Sequence, residues 1–126
     1  MQDDLDGHLP QHESWRCILR ALEDETIFFK TKLAYILSKD FERSHLRHLE
    51  IFQHRFLIMD EQVKLLRHEL IELQEFMQKN KQTSHHSGGD IVLQETLAAK
   101  IYRIQESFDT LASDFRMYLD QFFPYI

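Results

Sequence analysis

Between Leu49 and Met77, apolar residues recur at alternating three- and four-residue spacing without a break: Leu49, Phe52, Phe56, Met59, Val63, Leu66, Leu70, Leu73 and Met77. This is a heptad seam, with Leu49, Phe56, Val63, Leu70 and Met77 at a and Phe52, Met59, Leu66 and Leu73 at d. On one helix the nine side chains form a single stripe, and a helix carrying them spans about 45 to 60 Å. Such a stripe has to be covered by other helices. The seam therefore predicts a helical bundle, but it specifies no chemistry.

Two further segments supply the covering stripes. Trp15, Leu19, Leu22, Thr26, Phe29, Leu33 and Ile36 carry the same spacing, as do Leu97, Ile101, Ile104, Phe108, Leu111, Phe115, Tyr118 and Phe122, with Ala98, Ala112 and Leu119 widening the last stripe at e. The chain holds only 3 glycines and 2 prolines, too few for the frequent turns of a strand-rich fold. The expectation is one all-α domain of 126 residues: an acidic flexible arm over 1–9, helix 1 over 10–38 with Pro10 in its first turn, helix 2 over 41–80, a flexible polar loop over 81–89, and helix 3 over 90–123 with Asp90 as its N-cap and Pro124 as its stop.

The joint between the first two helices contains neither glycine nor proline. Carrying the helix 1 register forward would put Asp40, Arg43 and Arg47 on the core stripe, about 200° of rotation out of phase with the stripe that begins at Leu46 or Leu49. A turn near 38–44 resolves the mismatch, with Ser38, Asp40 or Ser44 as N-cap. The alternative is one helix of about seventy residues that shows opposite seams to a second chain. With the turn, the expected fold is an elongated antiparallel up-down-up three-helix bundle with coiled-coil-like packing. Its layout resembles that of spectrin-type three-helix repeats, including an early tryptophan in the first helix, a likeness that heptads alone produce.

Charge narrows the partners. The net charge is -6 and the basic residues are interleaved with acidic ones, which argues against duplex nucleic acid or an anionic membrane. No apolar run approaches the length of a membrane span. Residues 1 to 7 carry no apolar signal-like stretch, and a lone cysteine, Cys17, excludes an internal disulfide framework. The expected setting is the cytoplasm.

Catalytic and metal motifs are sparse. Glu42 and His45 form one Glu-x-x-His half-motif, with His48 a turn further on and Asp120 brought near by the antiparallel arrangement. Carboxylate and imidazole would suit zinc or iron, but the second half-motif of a di-metal bundle is missing. His8 and His12 have one-turn spacing, yet Pro10 between them is expected to leave His8 outside the helix. His54 and His68 fall at f, on the wet side, and His85 and His86 lie in the polar loop. Cys17 lacks a recognisable base and oxyanion site, and no phosphate loop or nucleophile elbow occurs. No enzyme activity and no cofactor are expected.

The stronger signal is a second apolar stripe. Helix 1 places Ala21, Phe28 and Tyr35 at c and Ile27 and Ala34 at b, while helix 2 places Ile51, Ile58 and Leu65 at c and Leu57 and Ile71 at b. A wide stripe explains one apolar flank, since each helix touches two others. It does not explain both, because position g of helix 2 reads His48, Arg55, Gln62 and Glu69. The expectation is a second face on helices 1 and 2, with Phe28, Tyr35, Ile51, Ile58 and Leu65 as anchors for a homodimer or a helical protein partner. Ligand or peptide binding between loosened helices is a further alternative. At the C-terminus, Phe122, Phe123, Tyr125 and Ile126 read either as a plug for the bundle end or as a docking tail.

Overall fold

A computed structural model of the chain describes residues 4–83 and 88–126, with side chains described over 10–79 and 91–126. Three long helices account for almost all of it: α1 (Asp4–Leu37), α2 (Leu46–Thr83) and α3 (Gly88–Phe122), with a single 3-10 turn (Arg43–His45) leading into α2. No strand occurs among the described residues.

The heptads do what their spacing requires. All nine a and d residues of α2 are buried, as are the seven of α1 and the first seven of α3. Burying apolar stripes of this kind is the main source of stability for long helices, which intrinsic propensity alone would leave marginal. Phenylalanines from all three helices meet mid-bundle. The Phe115 ring lies 5.1 Å from Phe52, 5.1 Å from Phe56 and 5.7 Å from Phe29, and Phe108 lies 6.2 Å from Phe29. The one polar member of the α1 stripe, Thr26, is fully buried and donates its hydroxyl to the Leu22 carbonyl at 2.7 Å, so its polar group is satisfied within its own helix.

Polar contacts at the seam edges fix the helix directions. Between α1 and α2, position e meets e: Arg16 with Gln74, Glu23 with Arg67, and Lys30 with Asp60. One heptad forward on α1 is one heptad back on α2, which makes the pair antiparallel. Between α2 and α3, position g meets g: Arg55 with Asp114 at 3.0 Å and Glu69 with Lys100 at 3.1 Å. That pair is antiparallel too. Along α1 and α3, His12 meets Gln94 and Phe29 meets Phe108 and Phe115, so these two run in the same direction.

The turn between α1 and α2 falls where the phase change demands it, which rules out one continuous helix. Its capping differs from expectation. Glu42, with extended backbone (φ -65, ψ 134), precedes the 3-10 turn and makes no side-chain cap. Ser38 instead serves the other helix, donating its hydroxyl to the Tyr35 carbonyl at 2.7 Å and so satisfying a terminal acceptor of α1.

The helix ends also move outward. α1 begins at Asp4, so residues 4–9 are helical rather than an arm, and Pro10 lies inside the helix. Pro10 is exposed, and its missing N–H removes one rung of the ladder on the solvent side. α2 continues to Thr83 and α3 starts at Gly88, which leaves only 84–87 between them, outside the described residues together with His85 and His86. Asp90 consequently lies within the first turn of α3 and is not its N-cap. Phe122 ends α3 but is 44% exposed, so the α3 stripe stops at Tyr118 and Leu119.

Candidate interaction surface

The e–e and g–g contacts decide where every outward residue points. Around a helix, e and b lie on one flank of the a/d seam, and g and c on the other. On α2, e faces α1 and g faces α3, so Leu57 and Ile71 at b lie on the α1 side, and Ile51, Ile58 and Leu65 at c lie on the α3 side. On α1, e faces α2, which sends Phe28 and Tyr35 at c to the opposite flank, also beside α3. The groove linings agree. Ala34 and Leu57 line the α1–α2 groove with Lys30 and Gln53, whereas Ile58 and Leu65 line the α2–α3 groove with Ser107, Thr110 and Arg103.

The five anticipated anchors are therefore all exposed but do not form one face, because α3 stands between the two groups. The heptad register of each helix was legible, but the flank of α2 that receives each neighbour was not. The two groups also differ in chemistry. Phe28 and Tyr35 carry the ammonium groups of Lys32 and Lys39 over their rings, at 4.7 and 5.0 Å from the centroids. These cation–π contacts give the exposed rings a partner close by in the chain, Lys32 within α1 and Lys39 just past its end. Ile51, Ile58 and Leu65 are 48%, 40% and 58% exposed, one heptad apart in a straight row. That row is the cleaner apolar strip.

A further apolar opening was missed in the sequence. One heptad beyond the Glu69–Lys100 contact, the g positions hold Phe76 and Leu93, both exposed, and they line a groove with Leu73 and Leu97. The signal was present as a polar g series that turns apolar in both helices. It becomes readable only once the helices are paired in register.

The residues of the metal alternative are not gathered into a ligand set. Among the described residues, no three His, Cys, Asp or Glu side chains come together as a metal ion needs. Glu42, His48 and Asp120 are exposed, and His45 is engaged in an aromatic cluster instead. Its Nδ1 lies 2.6 Å from the Tyr118 hydroxyl, and its ring is 4.8 Å from Phe122 and 5.3 Å from Phe123. The His48 ring stacks on Tyr118 at 5.7 Å. Burial raises the Tyr118 hydroxyl pKa, since ionisation there loses hydration. Phe123 and Ile126 pack against the core beside this cluster while Tyr125 stays fully exposed, so the tail closes the bundle end with two of its four apolar residues.

The opposite end holds a buried polar layer that the apolar stripes alone do not mark. His12 and Gln94 occupy a positions of α1 and α3, both buried, with His12 Nε2 3.1 Å from Gln94 Oε1 and the imidazole stacked on Trp15 at 5.3 Å. Extending the two stripes back by one heptad step would have found them. Cys17 is exposed, and His68 pairs with Glu72 at 2.9 Å on the wet side of α2.

No helix among the described residues is long and apolar enough to cross a membrane. No protein-family model, curated protein or solved structure matches this chain. The fold and its surface define a three-helix bundle whose internal seams are satisfied within the chain and whose α2 carries an additional apolar strip.

Proposed function

We propose that the protein is a non-catalytic protein–protein association module, a small cytoplasmic scaffold or adaptor that self-associates. The observation that carries this reading is the strip Ile51, Ile58 and Leu65. The a and d seam of α2 is already covered by α1 and α3, and these three large side chains keep roughly half of their surface outside the fold of a single chain. Aligned apolar residues on a charged helix are what a second helix recognises. Interleaved charge and a net of -6 favour a protein partner over a polyanion.

Sedimentation equilibrium over a concentration series tests it. The expected result is a reversible oligomer in the parent chain and a monomer of unchanged helicity in the Ile58→Glu/Leu65→Glu variant. A strict monomer at every concentration that also fails to bind a hydrophobic dye overturns the reading.

A further inference from the structure

We infer that the flank between α1 and α3, on the side away from α2, receives an amphipathic helix of another protein that is acidic in its first half. This surface is separate from the α2 strip and does not depend on it. Position e of α1 and position g of α3 both face α2, so g of α1 and e of α3 line the third seam, with c of α1 and b of α3 beside them. The other two seams carry matched edge charges: Lys30 with Asp60, Glu23 with Arg67, Arg55 with Asp114 and Glu69 with Lys100. Among the described residues no ion pair joins α1 to α3. Lys32, at g of α1, faces the α3 row of Ala112 and Leu119, which offers no carboxylate, and Lys39 follows just past the end of α1. The cations rest on rings instead. Lys32 lies over Phe28 at 4.7 Å, Lys39 over Tyr35 at 5.0 Å, and Arg116, at b of α3, over Phe29 at 5.0 Å. The Phe28 and Phe29 rings are 5.8 Å apart, which joins Lys32 and Arg116 into one surface across the two helices.

Charge complementarity identifies the partner. Exposed rings beneath cations that have no carboxylate present apolar area and unneutralised charge together, and an apolar helix face flanked by carboxylates matches both. A polyanionic strand is the poorer fit, because Glu25 and Asp109 occupy the same g and b rows one heptad before Lys32 and Arg116. The two rows thus change sign together, from acidic to basic, toward the α1–α2 turn. Direction follows from the bundle. α1 and α3 run the same way and α2 runs against both, so a helix opposite α2 completes an alternating four-helix arrangement when it too runs against α1 and α3. Its N-terminal half then meets Lys32, Lys39 and Arg116, and its C-terminal half meets Glu25 and Asp109. Carboxylates early and cations late are also what the partner's own helix dipole favours.

Fluorescence anisotropy with two labelled synthetic peptides tests it. Both are leucine-seamed helices of about three heptads, one with glutamates flanking the seam in its first half and lysines in its second, the other with that order reversed. The acid-first peptide should bind the parent chain, and the base-first peptide should bind at least about tenfold more weakly. The swap Glu25→Lys/Lys32→Glu/Asp109→Lys/Arg116→Glu keeps the net charge and should invert that preference, a gain of binding that misfolding does not produce. If circular dichroism shows the swap to disturb helicity, Lys32→Gln/Arg116→Gln takes its place and should narrow the preference. Ile58→Glu/Leu65→Glu should leave it unchanged, which keeps this test apart from the α2 strip. Equal binding of both peptides, binding of neither, or a preference that the row variants leave unaltered overturns the proposal. An oligomer that persists in Ile58→Glu/Leu65→Glu and dissociates when Lys32→Glu/Arg116→Glu is added assigns the flank to a second copy and also overturns it.

Discussion

Leu65 and Leu66 are sequence neighbours with opposite surroundings, and truncating each to alanine separates the fold from the association. Leu66 is 6% exposed at a d position and Leu65 is 58% exposed at c. Leu66→Ala removes buried methylenes and leaves a cavity in the seam, which costs about 2–5 kcal/mol of stability. For a domain of this size that lowers Tm by roughly 10 °C or more. Leu65→Ala should change monomer stability by no more than about 0.5 kcal/mol. Its effect falls on the dimer. Complete burial of a leucine side chain is worth about 1.5–3 kcal/mol, so covering the exposed part of Leu65 yields about 1 kcal/mol per copy. Two copies lose about 2 kcal/mol on truncation, which weakens the dimer roughly 30-fold. The same arithmetic over Ile51, Ile58 and Leu65 in both copies gives about 6 kcal/mol gross against the cost of association, so the dimer is weak and concentration-dependent. Thermal melts at dilute concentration and sedimentation equilibrium at higher concentration read the two effects separately. A Tm loss in Leu65→Ala equal to that in Leu66→Ala would refute the heptad assignment of the α2 surface. An unchanged dissociation constant in Leu65→Ala would refute the role of the strip.

Two further predictions concern the contacts that set direction and close the bundle end. Lys30→Glu places two carboxylates at the partly buried e–e contact with Asp60 and should lower stability by about 1 kcal/mol, and adding Asp60→Lys should restore most of it, as chemical denaturation will show. Tyr118→Phe removes the 2.6 Å contact with His45, at a cost of about 1 kcal/mol near neutral pH. Because the folded hydroxyl pKa lies above the ordinary 10.0, folding favours the neutral phenol. That contribution is complete below the ordinary value and is lost as pH rises through the raised one. The parent chain should therefore lose stability more steeply than Tyr118→Phe on the alkaline side, and parallel alkaline limbs in the two melting curves would contradict this.

The sequence by itself determined the helices and the inward side of each. Spacing of three and four admits one solution on a helix, and the stripes it selected are buried, with Phe122 at the C-terminal end of α3 the exposed exception. The turn near 38–44 was equally legible, because a two-residue phase shift cannot be absorbed by a straight helix. Helix ends were less so. Pro10 suggested a start, but α1 runs back to Asp4 and holds Pro10 inside it. What only the tertiary structure decided is the order of neighbours around each helix. Heptad letters are identical whether α3 packs on the e side or the g side of α2, and the choice rests on small differences among edge contacts such as Lys30 with Asp60 and Arg55 with Asp114. That choice divided the five exposed anchors into two groups and left Ile51, Ile58 and Leu65 as the strip on which association is proposed.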